Sequence, residues 1–325
     1  MNRRTFGLLA LAASLPSTVR SAAAQSATWP TRPVRIIVPF AAGGTADVLG
    51  RLMADRLTVK WGQSVVVENR PGAGGNIGAE LVARAAPDGY TLVVGTVGIH
   101  AASSIYSRLT YDPTRDLAPV TVIAEMPNAI IVHPSVPART LQELIDLAKR
   151  EPGKLSFGSA GNGSSTHLAG EAFLLSAGIR MTHVPYRGSS AALNDLVSGS
   201  IQVMFENLPT VPPLAEGGLV RVLAVTSRDA VAQMPNVPAA REAGVPDYVA
   251  TAWMTLAAPS GVPAPLLERI SADARAVLNE PAVRERLATL GAIPLAGSIE
   301  ESRQFFADET RKWTRVIDAA GIRLN

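Results

Sequence analysis

The sequence predicts an α/β protein with two lobes, two parallel or mixed sheets flanked by helices, hinged where two strands cross between them. Three observations predict this. Short β-branched runs alternate with helical patterns over residues 34–94, and the alternation restarts after residue 140; such β-α-β order builds a largely parallel sheet with helices on its faces. Two apolar stretches, Val120–Val132 and Ala250–Ala257, have the character of strands passing from one unit to the other. Finally, each unit contains an apolar run, a small-residue turn and then a helical pattern: Val34 to Leu49 through Ala41-Ala-Gly-Gly-Thr45, and Leu155 to Gly170 through Ser159-Ala-Gly-Asn-Gly-Ser-Ser165.

Taken in order, Val34–Val38, Val65–Val67 and Thr91–Val94 read as buried strands. Val48, Leu49, Leu52, Met53 and Leu57 recur at helical spacing between the first two, and Ile77, Leu81, Val82 and Ala85 between the second two. Val120–Val132 is interrupted by Pro127. Thr140-Leu-Gln-Glu143 is a capping box opening a helix over Leu141–Lys149. Leu155–Phe157, a helix from Ser165, Thr182–Tyr186, a helix over Ser190–Ser198, Ile201–Phe205 and Val220–Thr226 follow, with Gly178 and Gly199 placed as helix C-caps. The tail is helical over Ala264–Leu278, Pro281–Leu290 and Ser298–Ala319, with Pro281 at a helix N1 position and Ser298-Ile-Glu-Glu301 as a second capping box. The lobes this implies are residues 28–124 with 252–325, and residues 125–251.

Residues 1–24 read as an export signal: Arg3-Arg4, an apolar stretch from Phe6 to Leu15, and the small-residue site Ala22-Ala23-Ala24. The route is either twin-arginine or Sec, and the stretch is too short for a membrane span. The chain has 30 basic and 27 acidic residues and a pI near 9.4. The signal holds Arg3, Arg4 and Arg20 and no acid, so removing three from 30 leaves 27 against 27. A neutral mature chain gives no electrostatic footprint for nucleic acid or an anionic membrane surface. Zero Cys excludes disulfides, thiolate metal sites and a lipid-anchored N-terminus.

Both Gly-rich turns would aim free N–H groups and hydroxyls from a helix N-terminus at a small anion. Asp47 either complements the helix dipole or touches the ligand. Thr96 follows a strand, where it either binds ligand or caps a helix. His167 stands in the first turn beside the second loop, either orienting that loop or facing solvent. Asn207 is placed to meet the distal polar end of a ligand, Arg187 is a possible clamp, and Trp253 reads as packing. Gly72-x-Gly74-x-x-Ile77 misses the dinucleotide spacing, and no phosphate-binding P-loop occurs. His100, His133, His167 and His183 form no metal-ligand spacing, and Ser159 lacks a Gly-x-Ser-x-Gly frame.

Several segments together resemble the Bug family, the periplasmic solute-binding receptors of tripartite tricarboxylate transporters. They are Pro39-Phe-Ala-Ala-Gly-Gly-Thr-Ala-Asp47, Glu68-Asn-Arg-Pro-Gly-Ala-Gly-Gly-Asn-Ile-Gly78, Pro87-Asp-Gly-Tyr-Thr-Leu92, Phe157 to Glu171, His183-Val-Pro-Tyr-Arg-Gly188 and Val222-Leu-Ala-Val-Thr-Ser227. The resemblance implies a two-domain periplasmic-binding-protein fold, type II-like, closing on a small carboxylate without metal or cofactor. The ligand class is a mono-, di- or tricarboxylate or acidic amino acid, the partners are membrane permease subunits, and the receptor acts as a monomer and not as an enzyme. By position it implies ligand contacts from Phe40, Ala42, Gly43, Gly44 and Thr45, and from Ser159, Ala160, Gly161 and Ser165; Thr96, His167 and Asn207 join them from the reading above. One departure is that Ala41-Ala42 and Thr45 stand where the family commonly carries Pro, which adds N–H donors and a hydroxyl. A ligand sensor, or an α/β hydrolase-type enzyme, is the alternative.

Overall fold

The computed structural model describes residues 29–324, so the export-signal reading of residues 1–24 lies outside the described residues. The first unit runs β1 (Val34–Val38), α1 (Thr45–Trp61), β2 (Val65–Asn69), α2 (Asn76–Ala83) and β3 (Thr91–Gly95), then two single turns, α3 (Val97–His100) and α4 (Ala102–Ile105). β1 pairs in parallel with β2 and β3. Alternate residues of β1 serve opposite faces. Val34, Ile36 and Val38 pack with Leu49, Met53 and Leu57 of α1, and Ile37 with Ala79 and Val82 of α2. Each fully buried Leu or Met here contributes roughly 1.5–3 kcal/mol. Gly62 ends α1 in the left-handed region, at φ 64°, as a C-terminal glycine should.

β4 (Leu117–Val132) is the spine of the molecule. The second unit hangs from it: α5 (Leu141–Arg150), β5 (Ser156–Ser159), α6 (Ser165–Ala177), β6 (Thr182–Pro185), α7 (Ser189–Val197), β7 (Val203–Asn207), α8 (Pro212–Glu216) and β8 (Arg221–Val225). β5 lies parallel between β6 and β7. Phe157, Val203 and Phe205 pack against Leu168 and Phe173 of α6, while Ile131 and Met204 pack against Leu193 and Leu196 of α7. The chain then returns through β9 (Thr251–Pro259) to α9 (Ala264–Leu278), α10 (Pro281–Thr289), the short β10 (Ile293–Pro294) and α11 (Ile299–Ala319). Both expected capping boxes form, Thr140 with Glu143 and Ser298 with Glu301.

The strand order is β2-β1-β3-β9-β4-β7-β5-β6, with β8 and β10 also on β4. Residues 117–127 of β4 run antiparallel to β9, whereas Asn128–Val132 pair with β7 and β8. Pro127 thus lies within the single crossing strand expected of Val120–Val132. It falls where the partners change, the position at which a missing N–H disturbs a ladder least. The second crossing is clasped to the first at the same level. Thr226 N–H donates to Asn128 O at 2.8 Å, Asn128 N–H donates to the Thr226 hydroxyl at 2.7 Å, and Ala250 N–H donates to Thr226 O at 3.0 Å.

Candidate functional site

The first Gly-rich loop is shaped by Asp47. Its Oδ2 accepts from Gly43 N–H at 3.0 Å and from Arg51 Nε at 2.9 Å, and its Oδ1 accepts from Asn69 Nδ2 at 2.9 Å. Asn69 also donates to Phe40 O at 3.0 Å, which ties the loop to the end of β2. Burial works against charge on Asp47, but the Arg51, Gly43 and Asn69 donors outweigh it and hold the carboxyl below the usual range. The Gly43 N–H is thus committed within the loop. Ala42 and Gly43 face outward, and Gly44, Thr45 and Ala46 turn in.

The second loop rests on two stacked imidazoles. His167 and His183 lie with ring centroids 3.9 Å apart, and Phe157 stacks on His183. His167 Nδ1 accepts from Gly163 N–H at 3.0 Å, leaving Nε2 as the protonated nitrogen, 3.5 Å from Glu171. The Ser159 hydroxyl meets His183 Nε2 at 2.7 Å and accepts from Gly161 N–H at 3.1 Å. Burial, with His167 alongside, pushes His183 down to about 3, so it is neutral. Ser164 caps α6 by accepting from His167 N–H, and Thr166 accepts from Ala160 N–H at 2.9 Å.

These loops face each other across one small cavity of about 20 Å³, room for little more than one water-sized sphere. The first unit supplies Phe40, Gly44, Thr45, Ala46 and Thr96, with Met254 from β9; the second supplies Ala160, Ser164, Ser165, Ser189 and Asn207. Three helices of at least nine residues, α1, α6 and α7, begin at its wall. Gly44 and Gly188, the caps of α1 and α7, offer no side-chain cap, so the first N–H groups of those helices stay available. Each helix start carries about half a positive charge. None of the lining side chains is charged. The Thr45 and Thr96 hydroxyls are buried and have no hydrogen-bond partner. Asn207 Oδ1 accepts from Asn128 Nδ2 at 2.9 Å, which fixes its amide.

The units are in contact around this cavity. Ala41 N–H donates to Arg187 O at 3.1 Å, and the Tyr106 hydroxyl donates to Asn162 O at 3.1 Å. Gly98 approaches the second loop so closely that an added Cβ would stand 2.5 Å from Gly163 O, and a Cβ on Gly74 would collide with Asn162 O. Larger spaces exist, including a groove of about 750 Å³ along Glu125–Pro127, Thr251 and α10. No helix of nine or more residues begins at that groove, so the small cavity has the stronger claim to an anion.

Of the residues singled out in the sequence, Phe40, Gly44, Thr45, Thr96, Ala160, Ser165 and Asn207 meet in the cavity wall. Ala42, Gly43, Ser159, Gly161 and His167 lie behind or beside it as loop structure. Thr96 stands at the start of α3 without making a cap bond. Trp253 is packing: it stacks on Phe306 and donates to Glu309 at 3.0 Å. Sequence reasoning missed Ser189, whose signal was Gly188 before a Ser-Ser helix start, and also Ala46, Ser164 and Met254. Among the described residues no cluster of His, Asp or Glu could hold a metal ion, and no helix is long and apolar enough to cross a membrane.

Residues 49–322 match the family model described as tripartite tricarboxylate transporter family receptor. The chain is 36% identical to Protein BugT of Bordetella pertussis over 98% of both chains. Among solved structures it is similar to R. palustris Rpa4515 with adipate, at 40% identity and TM-score 0.88, covering 91% of this chain and 100% of that one. It is also similar to MatC from Rhodopseudomonas palustris with bound malate, at 33% identity and TM-score 0.85, covering 89% and 100%.

Proposed function

The chain belongs to the tripartite tricarboxylate transporter receptor family, and on that premise we propose that it captures a small carboxylate between its lobes in the periplasm and delivers it, as a monomer, to the membrane permease. Residues 1–24 would direct export by the twin-arginine or the Sec route. The lobes of this reading are residues 28–124 with 252–325, and 125–251, a division supported by the change of β4's partners between Pro127 and Asn128.

The observation that carries the reading is the pair of buried, unpartnered hydroxyls on Thr45 and Thr96, facing the same cavity as the uncapped starts of α1 and α7. Together with Ser165, Ser189 and Asn207 they offer a carboxylate a ring of neutral donors. Each charge-assisted hydrogen bond contributes roughly 1.5–3 kcal/mol. Four or five offset orientation losses and leave the ~8 kcal/mol of a micromolar dissociation constant. Asp47, Ser159, Gly161, His167 and His183 hold the loops in place. A ligand touching both lobes only when they meet binds the closed form better, and that difference drives closure. Similarity to receptors whose structures carry adipate and malate points to the same ligand class.

Isothermal titration calorimetry of the mature protein against adipate, malate and a graded set of mono- and dicarboxylates tests this. Micromolar binding to one or more is expected; no heat with any small acid rejects the reading.

A further inference from the structure

Glu206 stands in β7 one residue before Asn207 of the cavity wall, and its side chain is wholly buried. It lies opposite Ala129 of β4. Its Oε1 accepts from the Thr210 hydroxyl at 3.0 Å, while Oε2 has no hydrogen-bond partner. The Ser189 hydroxyl, part of the cavity wall, lies against the same carboxyl. A buried carboxylate needs a cation or a full set of donors to remain ionised, and Glu206 has neither.

Burial pushes Glu206 up to about 7, with the Ser189 and Thr210 hydroxyls and the Asn207 N–H working the other way. No charged group contributes to that shift. On the elements around it, Asp195 of α7 accepts from the Tyr186 hydroxyl, Arg221 of β8 donates to the carbonyls of Pro134, Val136 and Ala138, and Glu216 of α8 lines a surface groove. Across the cavity, Asp47 is held by Arg51.

We propose that Glu206 sets the charge preference of the cleft, taking up a proton from solvent as a carboxylate is captured. The proposal rests on the carboxylate-receptor reading above. A negative headgroup against Ser189 and Asn207 would be one side chain away from an ionised Glu206, and like charges disfavour each other. Ionised Glu206 also claims the Ser189 hydroxyl proton. Once protonated it donates instead, and Ser189 is free to donate to the ligand. At an effective dielectric near 20, two like charges about 12 Å apart already repel by about one pKa unit, so a headgroup this near is disfavoured by about tenfold in affinity or more. By linkage, affinity is highest below the titration of Glu206 and falls as pH rises through it.

The test is calorimetry with adipate at pH 7 in two buffers of different ionisation enthalpy. The wild type should take up roughly half a proton per adipate, and its affinity should fall about tenfold between pH 6.5 and 9. Glu206→Gln should reduce the uptake to near zero and flatten the pH dependence. Adipate binding without proton uptake, or unchanged uptake in E206Q, overturns this proposal and leaves the receptor reading standing; binding of no small acid overturns both. Should E206Q not fold, infrared difference spectra of the wild type with 13C-carboxyl adipate decide the matter. A protonated-carboxyl band gained on binding supports the proposal, and its absence rejects it.

Discussion

Thr45→Val and Thr96→Val are expected to move stability and binding in opposite directions. Both hydroxyls are buried and unpartnered. Leaving such a group unsatisfied costs roughly 1–3 kcal/mol, a burden that a methyl of the same shape removes. Valine and threonine have similar helix propensities, Gly44 and not Thr45 is the cap of α1, and Thr96 makes no cap bond, so no local interaction is lost. Each variant should unfold at the wild-type temperature or about 1–3 °C above it, since 1 kcal/mol corresponds to only a few degrees in a chain of this size. A hydroxyl donating to a carboxylate is worth roughly 1.5–3 kcal/mol, so affinity should drop about tenfold or more in each single variant. Thermal denaturation without ligand and calorimetry with adipate measure the two sides. A variant that loses more than about 1 kcal/mol of stability, or binds adipate as the wild type does, would show that these hydroxyls serve the fold and not a ligand.

Gly98→Ala should act chiefly on closure, because the added Cβ would stand 2.5 Å from Gly163 O of the opposite loop and 3.2 Å from Gly74 O of its own unit; affinity should fall at least tenfold with a smaller loss of melting temperature, and small-angle scattering with ligand should report a more open molecule. Asp47→Ala removes the acceptor of Gly43, Arg51 and Asn69 and should destabilise by about 2–3 kcal/mol. Because the Asp47 carboxyl is held below its ordinary range, its contribution is complete above about pH 4 and disappears as pH falls through the folded-state value, so denaturant midpoints of wild type and variant should converge in acid. His100 and His183 are pushed down to about 3, chiefly by burial, whereas unfolded histidine takes up its proton near 6.5. Stability should therefore decline as pH falls below about 6.5, by roughly 2 kcal/mol per histidine at pH 5, as read from urea unfolding; His183→Gln should make the slope shallower.

Those elements whose residues answer to a single local rule were legible in the sequence. The alternation in Val34–Val38, the Thr140 and Ser298 capping boxes and the C-terminal helices behave as their periodicity demands. Val120–Val132 was legible as a crossing strand in spite of Pro127, but its neighbours across the sheet were not, because those come from residues 203–259. The two loops were visible as a design, yet which groups point inward was not. Gly43 N–H is turned away by an acid four residues on, and Ser159 by a histidine 24 residues on. Ser189 escaped notice because a helix start is conspicuous only where its cap is, and Gly188 caps nothing with a side chain. Glu206 follows the apolar run Ile201–Phe205 and was not singled out; its complete burial is a product of the fold.

The continuous strand from Leu117 to Val132 has a consequence for how this chain can vary over evolutionary time. Side chains alternate across a strand with a period of two, and both edges of this one carry ladders. Register shifts between Pro119 and Thr121 and between Val122 and Ala124 already absorb single residues, but from Ala124 to Asn128 the pairing is regular. A one-residue insertion or deletion there would flip the residues after it, taking Asn128 away from the Asn207 amide that it steadies and Ile130 and Ile131 away from their separate packing clusters. Length changes in this segment are therefore tolerable only in pairs, while the surface turn at residues 229–237 has no comparable parity to keep. Homologues should record that asymmetry as an ungapped block beside a ragged one.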